Sequence, residues 1–202
     1  MPLRFKTPFT RFTLDTRGSM VAELVLVMPF LIWAILGIIV FFYGFQLRTL
    51  NVTGSNTIAD LISRQREGPI PADDFENMDE VFGFLTDTPD ALSRIRVTLV
   101  KCSANCDPDD SGRELDIVWS CPTDDLLPMT ETDLSSTFEA QVPLMPQTER
   151  VILVETEVIF NPPFAYAMAP QTMRSFIATR PRFVNGLAVE DEGGLCYVAG
   201  DA

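Results

Sequence analysis

The four cysteines are the residues with the most distinctive chemistry in this 202-residue chain: Cys102, Cys106, Cys121 and Cys196. A zinc site is not expected from them, because the chain has no histidine and no C-x-x-C pair. Disulfides are the alternative, and four cysteines allow three connectivities, which the sequence leaves open. If the two strands that carry Cys102 and Cys121 pair as a hairpin, we expect these two to come close, leaving Cys106 for Cys196.

The acidic stretch "DPDDSG" at 107–112 resembles the start of a calcium-binding loop, with Asp107, Asp109 and Ser111 at alternate positions. The twelfth position of such a loop requires a bidentate glutamate, and this chain has Val118 there. Aspartate, proline, serine and glycine are also the residues that a turn between two strands requires. We therefore predict a turn and no metal site.

Two carboxylates, Glu155 and Glu157, alternate along a predicted strand. A glycosidase needs a paired acid and nucleophile in a cleft, but a solvated strand face is the simpler interpretation and the one we predict. Because histidine is absent, the commonest general base is missing as well. We expect no enzyme, no cofactor and no small-molecule substrate.

Four aromatic residues are predicted to lie in the core or at an interface rather than to bind sugar: Trp119, Phe160, Phe164 and Tyr166.

The charge of the chain is −13 in total and is unevenly distributed. Residues 1–18 carry four basic residues and one acidic residue, a balance of +3, whereas the part after Leu47 carries 11 basic and 26 acidic residues, a balance of −15. Nucleic-acid binding requires clustered Lys and Arg on the binding face, and here the basic cluster is confined to the first 18 residues. Nucleic acid is therefore not an expected partner.

An uncharged apolar run extends from Leu24 to Leu47, which as a helix measures about 36 Å and exceeds a hydrocarbon core of about 30 Å. We predict a transmembrane helix over 19–47. The basic residues before it place the N-terminus in the cytoplasm by the positive-inside rule, so the remainder is expected to be exported to the periplasm. The run ends in "FFYGFQLR", without the small-x-small pattern at which a secretory signal peptide is cleaved.

One carboxylate, Glu23, lies just before this apolar run. If a peptidase cuts between Gly18 and Ser19, Glu23 becomes the fifth residue of the mature chain, and the new α-amine lies one helical turn from the carboxylate, so each charge offsets the other's desolvation. The alternative is a glutamate that is solvated at the headgroup level and favoured by the positive helix N-terminus. The basic leader, the glycine and the glutamate together resemble the prepilin-type signal of type IV pilins and pseudopilins, which implies that residues 1–18 are a cleaved leader.

Beyond Arg48 the chain keeps apolar residues near helical spacing, at Leu50, Ile58, Leu61 and Ile62, and has no proline before Pro69. This pattern predicts that the helix continues through 48–66, to about Gln65, as an amphipathic stalk on which the domain 67–202 packs. A short helix is expected from Phe75 to about Leu85.

Three strands are predicted in that domain from β-branched and aromatic residues in partial alternation, at 94–102, 113–121 and 149–160. A last strand at 175–184 is expected at a sheet edge because of Pro181. The alternation predicts an antiparallel sheet with one face in water. The fold class is then α+β, with a long N-terminal transmembrane helix that continues into a stalk packed on a small antiparallel sheet, as in pilins.

The order of these segments resembles the TadE-like pseudopilins of tight-adherence (Flp) pilus systems: leader and anchor, then "DIVWS", then "VPLMPQTERVILVETEVIFNPPF", then "RPRF". The resemblance implies an inner-membrane minor pilin or pseudopilin that a prepilin peptidase processes and that works with other pilins and the Tad assembly machinery. Such a protein is required for the Flp pilus used in surface attachment and biofilm formation. The cysteines lie outside that family's general pattern. A membrane-tethered periplasmic interaction module unrelated to pili is the alternative, and an anchored hydrolase is the weakest interpretation.

Overall fold

The computed structural model describes residues 19–66, 68–89, 92–107, 112–147, 149–164, 167–184 and 186–199. The predicted leader 1–18, with Gly18, lies outside the described residues. The chain divides into two compact units: one contains the chain through Tyr43 together with Pro162–Ala169, and the other contains Gly44–Asn161 and Pro170–Ala202.

The first helix, α1, runs without interruption from Ser19–Ser63 and has Pro29 inside it. It confirms the predicted continuation of the apolar helix beyond Arg48, and it ends two residues before the predicted Gln65. Two of the four apolar positions predicted for the buried face, Ile58 and Ile62, are fully buried, whereas Leu61 is 44% exposed.

The second helix, α2, spans Asp73–Thr86 and contains the helix predicted from Phe75. It approaches α1 closely at Gly54, where an added Cβ would lie 2.9 Å from the ring of Phe82. Any larger side chain at position 54 would push the two helices apart, so glycine is required by the packing.

The strands are β1 (Ile70–Pro71), β2 (Ser93–Ala104), β3 (Glu114–Pro122), β4 (Arg150–Phe160), β5 (Gln171–Thr179), β6 (Val189–Glu190) and β7 (Tyr197–Val198). The order in the five-stranded sheet is β5-β4-β2-β3-β7, with every pair antiparallel, while β1 and β6 form a short parallel pair. The predicted α+β class is confirmed. The last long strand lies at an edge as predicted, but it begins at Gln171 and ends before Pro181.

Both faces of the sheet are covered, which corrects the prediction of one face in water. On one face, Ile152 and Val154 of β4 belong to a core that includes Ile58 of α1 and Phe75 of α2. On the other face, the alternate residues of β4 pack in a second core under the segment between β3 and β4, which contributes Met129, Leu134, Val142 and Met145. That segment is largely irregular, with the short helix α3 (Glu131–Asp133) followed by π-helical and 3₁₀ turns through Gln141.

Trp119 of β3 lies in the first core, as predicted. It is 1% exposed, its ring centroid is 5.7 Å from that of Phe75, and its Nε1 donates a hydrogen bond of 2.8 Å to the carbonyl oxygen of Leu187. Phe160 is also buried, whereas Phe164 is 47% exposed. Tyr166 lies outside the described residues.

The carboxylates Glu155 and Glu157 are 4% and 7% exposed, so the prediction that they lie on a solvated strand face is wrong. Each is paired with an arginine of a neighbouring strand. Arg96 donates from Nε and Nη2 to Glu155 Oε2, and Arg174 Nε lies 2.7 Å from Glu157 Oε1. Pairing compensates the cost of burying each charge, which explains how two glutamates are accommodated on a covered strand.

Removing one partner of the Arg96 pair is expected to destabilise the fold strongly. In Glu155→Ala the guanidinium of Arg96, 12% exposed, loses its carboxylate and stays buried, so we expect a loss of about 3 to 5 kcal/mol in the free energy of unfolding. The matched control is Lys101→Ala, which breaks a pair with Asp116 whose side chains are 48% and 39% exposed and should cost less than about 1 kcal/mol. Urea unfolding of the detergent-solubilised variants measures both, and equal losses would contradict the assignment.

Candidate functional site on the apolar helix

The first turns of α1 place Glu23 on an apolar surface. Within the described part of α1, Glu23 follows Ser19 by four residues, so the two positions lie one above the other on nearly the same face, about 6 Å apart along the axis. Glu23 is exposed, as are its neighbours Met20 (86%) and Leu24 (57%). No cation pairs with Glu23 among the residues that the structure describes.

The helix surface that follows is apolar in nearly every direction. Large hydrophobic side chains are exposed in each turn from Met20 to Phe45, and the most apolar 18-residue window of the helix is only 6% buried. Water is a poor solvent for so large an apolar surface. The helix is long and apolar enough to cross a membrane, and this part of the molecule can serve as a single-pass anchor.

The C-terminal part of α1 is attached to the sheet by a buried polar cluster of Asn51, Ser55 and Thr156. The Ser55 and Thr156 hydroxyls lie 2.6 Å apart, and Thr156 Oγ1 donates to Asn51 Oδ1 at 2.6 Å. Asn51 Nδ2 donates to the Met173 carbonyl of β5 at 2.9 Å. Because all three side chains are almost fully buried, a shift of the helix by one residue would leave their polar groups unpaired. The apolar spacing of α1 did not reveal this cluster.

The four cysteines form two disulfides, Cys102–Cys106 and Cys121–Cys196, so the predicted pairing of Cys102 with Cys121 is wrong. The hairpin itself is present, but in antiparallel strands the last residue of β2 lies at the turn and the last residues of β3 lie at the opposite end. Cys102 is opposite Leu115, and Cys121 is opposite Val97. The first bridge therefore joins the end of β2 to the start of the turn, and the second ties β3 to the C-terminal segment.

We expect the two disulfides to differ in their effect on stability. Cys121 and Cys196 are 75 residues apart in sequence, whereas Cys102 and Cys106 are four apart. In the chain-entropy model, removing the long-range bridge costs about 4 kcal/mol and removing the local bridge about 2 kcal/mol.

Urea unfolding of the two double Cys→Ser variants would measure this difference, each variant serving as the control for the other. Thiol titration of the denatured, unreduced native protein should find almost no free thiol. Two or more free thiols per chain, or a larger loss from the local bridge, would contradict the pairing.

The turn between β2 and β3 shows no metal-binding arrangement in its described part. Residues 108–111 of the stretch "DPDDSG" lie outside the described residues, while Asn105 Nδ2 donates to the carbonyl of Gly112 at 2.9 Å across the turn. Within the described ranges, no group of three or more His, Cys, Asp or Glu side chains could hold a metal ion. A depression of about 450 Å³ lies beside this turn, and the guanidinium of Arg113 that lines it donates to the carbonyl oxygens of Glu139, Val142 and Pro143.

Two carboxylates outside the helix have a lowered pKa. Desolvation is the largest single influence on Asp191 and raises its pKa, but hydrogen bonds from four backbone N–H groups, at 193–196, together outweigh it. One of these donors is Cys196, at 2.8 Å, so Asp191 orders the loop that presents the cysteine to Cys121. For Asp133, the hydrogen bond from the Thr130 hydroxyl lowers the pKa most, as part of the cap of α3. Both carboxylates have structural roles.

Comparison of the chain with models of protein families, with curated proteins and with solved structures finds no match. The residues of the chain itself indicate one candidate functional site, which lies in the first half of α1. Ser19 and Glu23, predicted from sequence, lie one turn apart there. The four cysteines lie in the unit that contains the five-stranded sheet, which we call the sheet unit, and they form two structural bridges there.

Proposed function

We propose that the protein is a minor pilin or pseudopilin that supports assembly of a type IVb (Flp) pilus used in surface adhesion. The observation that carries the proposal is the position of Glu23, a single carboxylate one turn after Ser19 on a helix whose other exposed side chains near it are apolar. A carboxylate in the interior of a membrane helix costs up to about 2.5 to 3.5 kcal/mol, and less near the end. A role as a membrane anchor alone does not explain why a carboxylate is present at this position.

Cleavage between Gly18 and Ser19 supplies a reason. It creates a positive α-amine on Ser19, on nearly the same helix face as Glu23. At a membrane boundary the two charges compensate each other's desolvation, either within one chain or between the amine of one subunit and the carboxylate of the next. The second arrangement would set the axial offset between neighbouring helices in a filament.

The remaining features fit the same function. The basic residues of 1–18 favour a cytoplasmic N-terminus, so that a prepilin peptidase can reach the Gly18–Ser19 bond at the inner membrane, and the sheet unit would lie in the periplasm. Two disulfides suit that oxidising compartment. The exposed apolar surface of α1 would pack on lipid before assembly and on the helices of other pilins afterwards.

Deletion of the gene in the native host, followed by complementation, tests the proposal. We expect the deletion strain to lose surface pili and the wild-type gene to restore them. The alternative, a tethered periplasmic module unrelated to pili, predicts normal piliation in the deletion strain. Normal pilus numbers without the protein would contradict the proposed function.

A further inference from the structure

We propose that the described parts of the loop between β4 and β5, 162–164 and 167–169, insert into the lipid headgroup region beside α1 and form a second membrane contact. The inference rests on the membrane-spanning part of the proposed function and not on the pilus. Its first basis is that this loop forms one compact unit with the helix through Tyr43. By the proximity of its backbone the loop is thus grouped with the first part of α1, most of which lies within the uncharged run from Leu24 to Leu47.

The sequence of the loop and its flanks suits that position. From Val158 to Met173 no residue is charged, although 21% of the residues in the chain are Asp, Glu, Lys or Arg. Six of these 16 residues belong to β4 and β5, and the ten between the two strands, 161–170, carry no charge. A loop exposed to water on an acidic protein has no need to exclude charge, whereas a loop in contact with lipid does.

Burial in this unit agrees with the sequence. Of the described helix residues up to Tyr43, only Val40 is fully buried, while the neighbouring Ile39 and Phe41 are 37% and 46% exposed. In the loop, Phe164 is 47% exposed, and Pro163 and Ala169 are exposed as well. Lipid would cover this aromatic and aliphatic surface together with the exposed helix side chains next to it. Ala165 and Tyr166 lie outside the described residues, and the proposal does not depend on them.

The backbone limits how deeply the loop can insert. Irregular backbone facing lipid is not tolerated in the hydrocarbon core, because its N–H and C=O groups have no partners there. Pro162, Pro163 and Pro170 have no N–H group, which reduces the number of donors that need a partner. These constraints place the loop at the boundary between headgroups and acyl chains, where amphipathic segments insert by about 5 to 10 Å.

Single added cysteines test the contact in the full-length chain, because the four native cysteines are paired. Phe164→Cys, Leu144→Cys and Ile32→Cys replace side chains of similar exposure, 47%, 55% and 54%. Each variant is labelled with a polarity-sensitive fluorophore and reconstituted in vesicles of phosphatidylcholine and phosphatidylglycerol, with or without brominated acyl chains, at several protein-to-lipid ratios. Iodide serves as the aqueous quencher.

We expect brominated lipid to quench the label at position 164 and at the helix position 32, with blue-shifted emission, while iodide quenches only the label at position 144. If position 32 is quenched by brominated lipid but 164 responds like 144, the loop contact is wrong and the anchor stands. If position 32 is not quenched either, the anchor fails and the inference fails with it. Shielding of position 164 that appears only at high protein density would assign the loop to a second copy of the chain and also overturn the proposal.

Discussion

A Gly18→Val variant is expected to accumulate in the inner membrane with residues 1–18 still attached and to leave a deletion strain without surface pili. Glycine before the scissile bond lets the peptidase approach the backbone closely, and a branched side chain would obstruct that approach. The apolar run is unchanged, so insertion should be normal. Western blotting of membranes, which separates the two forms by size, measures the fraction that is processed.

The matched control for this variant is Thr16→Val, which introduces the same side chain two residues earlier in the leader. It should be processed and should restore pili, because it does not alter the residue at the bond. Complete processing of Gly18→Val would contradict cleavage at this position, and loss of processing in both variants would show that the effect is not specific to the bond.

Glu23→Gln is expected to insert and to be processed normally but to abolish pilus assembly. The substitution keeps the shape of the side chain and removes the charge that would pair with the α-amine of Ser19. Membrane insertion should become slightly easier, because the substitution removes a charge from an apolar helix. The gain is small, because a charge near the end of the helix costs less than the about 2.5 to 3.5 kcal/mol that it costs at the centre of the membrane. Complementation of the deletion strain, with pili counted and protein levels checked, measures the effect.

Glu76→Gln is the control for Glu23→Gln, since Glu76 is an exposed carboxylate on α2 with no role in the proposed pairing, and it should restore normal piliation. Glu23→Ala should fail in the same way as Glu23→Gln. The headgroup-solvated alternative predicts that both Glu23 variants are silent, because an exposed charge contributes little. Normal piliation with Glu23→Gln would therefore exclude the charge-pairing role.

The elements that carry a periodic signal could be predicted from the sequence. The continuous apolar run with its amphipathic extension predicted α1 to within two residues of its end at Ser63. Runs of β-branched residues predicted β2, β3 and β4, because those strands lie at the centre of the sheet and their composition reflects burial. Strand β7 has only two residues and too little pattern to be recognised.

The errors came from contacts distant in sequence. The segment between β3 and β4 has no regular periodicity, so nothing indicated that Met129 and Met145 would cover the second face of the sheet. Because this cover is not apparent in the sequence, the alternation of Glu155 and Glu157 along the strand indicated a solvated face. The antiparallel register places Cys102 and Cys121 at opposite ends of the hairpin, but no local signal in the sequence connects Cys121 to Cys196, 75 residues away.

At the candidate site, the spacing of Gly18, Ser19 and Glu23 was visible in the sequence because it is local, and α1 keeps Ser19 and Glu23 one turn apart. The polar cluster of Asn51, Ser55 and Thr156 was not visible, because polar residues within an amphipathic helix ordinarily indicate its wet face. Here they form hydrogen bonds with one another inside the protein.

The intact mass of the protein extracted from native membranes without reduction tests leader cleavage and disulfide formation together. We expect the mass of residues 19–202 with four oxidised cysteines, because the leader is removed after Gly18 and both disulfides are formed. A mass that corresponds to residues 1–202 in assembly-competent cells would contradict cleavage after Gly18, and with it the proposed pairing between the α-amine of Ser19 and the carboxylate of Glu23.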